Sequence, residues 1–283
     1  MSHSAIRKPY PSDVTDAQWA ILEASIPLAR VGGRPRTVDM REIVNAMLYI
    51  NRTGCQWDML PHDFPPKSTV YVYFAQWRED GTWERLVDAL RAKVRTEVEN
   101  REPTPSAGSV DSQSVKTAGQ PATDTGYDGA KKITGRKRHL AVDTLGLLLA
   151  VIVTSAAVDD AAAAPEVLGR LTRENFPRLQ VVWADSKYHN HKLQEWIDSD
   201  PDRTWKLEVK KRPAGAKGFV LLPKRWVVER THAWIGRCRR HSRDYERYTA
   251  SSAAMIQLTS IGVMLRRLAP TKNQPLFKYR CAA

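Results

Sequence analysis

Residues 137–156, KRHLAVDTLGLLLAVIVTSA, constrain the fold more than any other stretch. Two β-rich runs flank the turn Thr144-Leu145-Gly146, a pattern that predicts an antiparallel hairpin rather than a helix. The apolar run from Leu145 to Val158 is too short and too interrupted to cross a bilayer. A sheet this apolar needs helices to cover it.

The flanking sequence supplies both. SVDSQSV (109–115) reads as a strand before the hairpin, while LQVVWAD (179–185) and TWKLEVK (204–210) read as strands after it. Helical patterns are predicted over 159–173, 190–199, 223–247 and 252–268. The order is three strands, helix, strand, helix, strand, helix, which implies a mixed α/β sheet flanked by helices over 109–270, with 271–283 as a tail. Residues 1–98 differ. Helices are predicted over 12–28 and 38–53, a third is capped by Ser68, and a fourth follows Gly81, with the basic turn GGRPR at 32–36. Short helices joined by tight turns suggest an all-α, helix-turn-helix-like unit. ENREPTPSAG (99–108) is the expected linker.

The formal net charge is +13, and it is unevenly placed. Residues 1–100 hold 13 Lys+Arg and 13 Asp+Glu, so the whole excess, 31 basic against 18 acidic residues, lies beyond them. A folded half with that surplus is expected to face a polyanion, most commonly nucleic acid. Cys55, Cys238 and Cys281 are far apart and in no paired spacing, so neither a disulfide framework nor a cysteine-based zinc site is expected. Together with an N-terminus lacking an apolar core, this points to a cytoplasmic protein with no membrane partner.

Three carboxylates stand out. Asp111 lies within the first strand, Asp185 closes the fourth, and Glu229 sits on the helix of KRWVVERTHAW beside an apolar stripe. In a sheet of this order the first and fourth strands are neighbours, and a following helix can cross their ends, so the three acids are expected to converge. Two unpaired charges about 4 Å apart repel by about 4 kcal/mol at an effective dielectric near 20, a cost that a divalent cation removes. An oxygen-only donor set suits Mg²⁺, with Mn²⁺ as substitute. Two such ions are able to stabilise the attacking and leaving oxygens of a phosphoryl displacement. No small-molecule cofactor is indicated. Candidate phosphate contacts are Lys131, Lys132, Arg136, Lys137 and Arg138 in a basic loop, where Gly129 and Gly135 let backbone approach. Arg225, Arg230, Arg237, Arg239 and Arg240 around Glu229 form a second set, and Lys116 and Lys187 follow the two aspartates. His139, His189, His191, His232 and His241 show no ligand spacing, and Asp143, Asp159 and Asp160 read as turn and cap residues.

The segments VDSQSVK, GYDGAKKITGRKRHLAVDTLGLLLAVIV, ADSKYHNHKL and WVVERTHAWIGRCRRHSRDYER resemble those of the DDE transposases of bacterial insertion sequences, family five above all. The resemblance runs over nearly the whole chain. It implies an RNase H-like fold, catalytic and metal-binding Asp111, Asp185 and Glu229, and a dimer or larger synaptic assembly on double-stranded inverted-repeat DNA. It also implies water as first nucleophile and a freed 3′-hydroxyl that attacks target DNA. A related family carries a Tyr-Arg-Glu-Lys series around the last acid. Arg225 and Glu229 match it, whereas Leu222 and Gly236 stand at the Tyr and Lys positions. The short spacing from Asp185 to Glu229 leaves no room for the β-domain inserted there in some relatives. Two other readings are an RNase H-like nuclease without strand transfer and a transposase-derived DNA-binding repressor.

Overall fold

A computed structural model describes residues 7–29, 32, 35–119, 122–210 and 224–271. Most of the tail, Leu222, Pro223 and part of the GGRPR turn lie outside them.

The N-terminal region is helical. Helix α1 (Asp16–Glu23) starts at a capping box, in which the Thr15 hydroxyl accepts from the Gln18 amide and the Gln18 side chain accepts from the Thr15 amide. The helix is therefore shorter than the 12–28 expected. Helix α2 (Met40–Thr53) is capped by Asp39 and ended by Gly54, whose φ of 74° is the left-handed conformation glycine adopts cheaply. Helix α3 (Lys67–Glu79) has Pro66, not Ser68, at its N-cap. Gly81 separates it from α4 (Thr82–Lys93), which runs on as a π-helical turn over Val94–Val98.

The sheet is built from β1 (Ala107–Lys116), β2 (Gly126–Asp128), β3 (Ile133–Asp143), β4 (Leu148–Ser155), β5 (Val181–Ala184) and β6 (Lys206–Val209). β1 begins two residues inside the expected linker. The path runs β4-β3-β1-β5-β6, antiparallel from β4 to β1 and parallel from β1 to β6. This is the RNase H-like order. β2 lies beside the start of β3, on the side that β4 occupies further along.

Helices α5 (Asp160–Leu168) and α6 (His191–Asp198) belong to one apolar core, with Val110, Ala141, Ile152 and Val182 of the sheet. The other face carries α7 (Trp226–Ile235) and α8 (Thr249–Leu268). α8 is buried on nearly every side because it packs against β4 and also against α2 and α4. The N-terminal helices thus share one core with Leu140, Val142, Leu148 and Val151.

The helix expected over 223–247 is interrupted. α7 stops at Ile235, a 3₁₀ turn spans Arg239–His241, and the chain then runs beside the end of β1. There the Asp244 amide donates to Lys116 O at 2.8 Å and the Ala118 amide to Asp244 O at 2.9 Å. The reason lies on β3. Arg136 donates to the carbonyls of Thr123, Glu246 and Arg247, and Arg138 to those of His241 and Arg243. A continuous helix would consume those carbonyls internally.

Arg136 and Asp244 form a 3.1 Å ion pair with both side chains fully buried. Arg136→Met is expected to lower stability by about 3–5 kcal/mol by leaving that carboxylate without its counter-charge. Urea unfolding midpoints of the variant and the parent measure it.

Candidate active site

The two faces of β1 carry different chemistry because side chains alternate along a strand. Asp111 pairs with Leu140 and lies on the α7 face. Arg225, just before α7, donates through Nη2 to Asp111 Oδ1 at 3.3 Å. Seven residues on, and so on the same side of the helix, His232 Nε2 stands 3.8 Å from Asp111 Oδ2. One helix therefore presents a guanidinium and an imidazole to the two oxygens of one carboxylate.

Asp185 follows β5 and caps a 3₁₀ turn over Ser186–Tyr188, accepting from the Lys187 amide at 2.9 Å. The turn-forming role and the placement beside Asp111 coexist. Burial raises the Asp111 carboxyl to about 6; the Asp185 charge adds to this, while Arg225, the Ser112 amide and Lys131 oppose it. His232 is pushed down to about 3, by burial first and then by Arg138, Lys131 and His139. Its ring is neutral near pH 7, and neither nitrogen has a hydrogen-bond partner among the described residues. The Tyr188 hydroxyl is also buried without a partner and feels Asp111, Asp160 and Asp185, which with burial raise its pKa well above the usual phenol value.

The opposite face of β1 holds a buried polar network. Ser112 Oγ donates to Asp160 Oδ1 at 2.6 Å, and Ser114 Oγ to Asp128 Oδ2 at 2.5 Å. Lys137 Nζ lies 3.1 Å from Asp160, and Lys187 Nζ reaches the other Asp160 oxygen at 3.3 Å. Burial alone would raise Asp160, but the Ser112 hydroxyl, Lys137 and Lys187 outweigh it and hold the carboxyl below its ordinary value. Asp160 therefore ties the neighbour of Asp111 to the loop that carries Asp185. Its reading as a helix-start residue was incomplete, since Asp159 is the cap of α5.

The other sequence candidates divide by exposure. Glu229 is exposed on α7, one turn after Arg225. Among the described residues no three His, Cys, Asp or Glu side chains stand close enough to share an ion, while Asp111 and Asp185 lie near enough for their charges to interact. Arg136, Lys137 and Arg138 are buried and bonded within the chain, as is Arg240, which pairs with Glu246 at 2.7 Å. Their partners leave no donor group facing outward for DNA. Gly135 makes a close approach, but to the chain itself, since a Cβ there would overlap the Val115 carbonyl. Lys116, Lys131, Lys132, Lys187, Arg237 and Arg239 are exposed. Arg230 stacks on Trp226 and Trp234 and donates to Leu145 O at 2.9 Å. His232 and Tyr188 carried no metal-ligand spacing in the sequence. The only hint of His232 was its helical offset from Arg225.

Among the described residues no helix is long and apolar enough to cross a membrane. The chain is 34% identical over 131 residues to a protein named as a putative transposase for insertion sequence element IS402, from Burkholderia cepacia. That match covers 44% of this chain and 60% of the relative's length. No solved structure matches. Residues 14–87 match a family described as putative transposase of the IS4/5 family. Residues 102–262, more than half the chain and all of the sheet, match the transposase DDE domain family, so the chain belongs to the DDE-domain transposases of insertion sequences.

Proposed function

We propose that the chain binds the inverted-repeat ends of an insertion sequence, hydrolyses DNA phosphodiester bonds there and transfers the freed 3′-hydroxyl ends into target DNA. The observation that carries this reading is the Asp111–Asp185 pair: the half-buried Asp111 carboxyl, on the central strand of an RNase H-like sheet, is raised to about 6 beside Asp185, which follows the neighbouring strand β5.

The pair suits a hard divalent ion. Both donors are carboxylate oxygens, they repel one another, and the charges opposing that repulsion are side chains, Arg225 first and then Lys131. Asp111 and Asp185 would hold Mg²⁺ or Mn²⁺, two ions per site, with Glu229 of α7 as the third acid by resemblance. When bound, such ions stabilise charge on the attacking and leaving oxygens. The residues of the chain do the rest. Asp160 holds Ser112 and Lys187, and through them the backbone on which the two aspartates stand. Exposed Lys116, Lys131, Lys132, Arg237 and Arg239 supply positive charge along the DNA backbone. Duplex DNA is the partner, and a homodimer or larger assembly on paired ends is the working form. The N-terminal helices, neutral as a group, are the candidate end-reading element.

Two measurements test this. Asp185→Asn is expected to abolish Mg²⁺-dependent cleavage of end DNA, by about 10²-fold or more, while DNA affinity stays within about twofold. Cleavage at the parental rate would remove Asp185 from the site, and cut ends without joined products would favour the nuclease reading. The second is a pH dependence in metal-free protein. The folded pKa of Asp111 lies above its unfolded value near 3.8, so the folded state binds the extra proton. Ionised Asp111 therefore costs stability as pH rises through the window from about 4 to about 6. Asp111→Asn should be more stable than the parent by about 1–3 kcal/mol at pH 7.5 and no more stable at pH 4, read by thermal unfolding in EDTA.

A further inference from the structure

A cavity lies away from Asp111. It has a volume of about 330 Å³ and sits where the segment before α1, helix α2 and helix α8 meet the end of α7. That size is at the small end of the range for ligand pockets, roughly 300–1,000 Å³. Its wall is basic, carrying Arg52 of α2, Arg237 after α7, and Arg266 and Arg267 of α8.

Arg266 pairs with no carboxylate among the described residues; burial lowers its pKa, Cys238 opposes this, and the nearby guanidiniums of Arg52 and Arg237 lower it further. Nothing in the reading of the active site accounts for several guanidiniums turned on one hollow. Two further donors on the wall are unmatched. Arg267 Nη1 is buried with no hydrogen-bond partner, its nearest acid being Glu99 at 4.0 Å, and the Ser12 hydroxyl is buried without a partner. Buried donors lacking acceptors are costly in native proteins. The carboxylate on the wall, Asp13, does not supply one, because Asp13 is engaged by Arg7 at 2.8 Å and by the Tyr10 amide at 3.0 Å. The other Asp13 oxygen is buried and unpartnered.

We propose that this cavity is a phosphate-binding site, separate from the catalytic carboxylates, in which Arg52, Arg237 and Arg266 engage the oxygens of a phosphate group. Planar guanidiniums match phosphate oxygens through paired donors. The ligand chemistry is shared by a free phosphorylated molecule and by the backbone of DNA. α7 links the two sites, since Arg225 just before it and His232 in its last turn face Asp111, while Trp234 near its end and Arg237 and Cys238 just beyond it line the cavity.

The test is calorimetric titration of the full-length protein, at low salt and without divalent ions, with inorganic pyrophosphate, a deoxynucleoside monophosphate and a short DNA duplex. Arg52→Gln and Arg266→Gln are compared with the parent and with Arg173→Gln, which removes an exposed charge elsewhere. Arg52 is exposed, so its variant keeps the test valid should Arg266→Gln fail to fold. Affinity for at least one ligand is expected to fall tenfold or more in the cavity variants and less than twofold in Arg173→Gln. A fall with pyrophosphate or the nucleotide assigns the cavity to a free phosphorylated ligand. A fall with the duplex alone assigns it to a DNA phosphate. Binding of none of the three by the parent, or equal binding by parent and Arg52→Gln for all of them, overturns the proposal. Cleavage is not read, so the outcome is independent of the catalytic assignment.

Discussion

The alternation of side chains along β1 is the constraint on which the rest depends. β1 is the central strand, antiparallel to β3 on one side and parallel to β5 on the other, so its residues have no freedom to slide. Asp111 is thereby fixed on the α7 face and Ser112 and Ser114 on the α5 face. A one-residue slip would put the aspartate among Lys137, Asp160 and Asp128, and a serine before Arg225. The parallel pairing of Ala107–Ser109 with Val181–Trp183 then brings the end of β5, and Asp185 with it, alongside. The juxtaposition of the two acids follows from register rather than from any direct bond between them.

The surplus positive charge has a divided role. Part of it is internal. Arg136 and Arg138, with relative exposures of 0% and 2%, hold the chain after α7 in a non-helical course by filling its carbonyls, and Lys137 neutralises Asp160. Arginine suits such places because its planar fork bonds several acceptors at once. The rest is on the surface, where it creates a field without fixing a fold. Counting basic residues therefore overstates the charge available to a polyanion, and burial decides which residues remain.

How far the sequence was legible follows the same division. The hairpin was legible because its apolar runs and glycine turn act locally: Asp143 receives the Leu145 and Leu147 amides at 2.9 Å, and Gly146 takes a φ of 79°. The strands bearing Asp111 and Asp185 were legible for the same reason. What eluded the sequence was long-range. The helical period of 223–247 is real, but acceptors demanded by β3, more than a hundred residues earlier, override it after Ile235. The basic loop looked solvent-facing because lysine and arginine usually are, and only the partners Asp244, Glu246 and Asp160 reveal otherwise. The residues before α1 through α4 looked separable by composition, yet they close over α8 in a core continuous with the sheet.

That continuity gives α7 its importance. At its start Arg225 acts as an internal cation beside Asp111, and at its end Gly236 and the 3₁₀ turn hand the chain to the strip held by Arg136 and Arg138. Thr231 Oγ1 donates to Gly146 O at 2.9 Å, pinning the middle of the helix to the hairpin turn. A helix held at its centre and its end while its start opposes a half-buried carboxylate keeps Arg225 in place by geometry, not by the strength of the ion pair alone. The carboxylate is raised to about 6 even with that guanidinium present, so one arginine does not satisfy it. A more concentrated positive charge beside Asp111 would lower it further, and that is what the proposed divalent ion would supply.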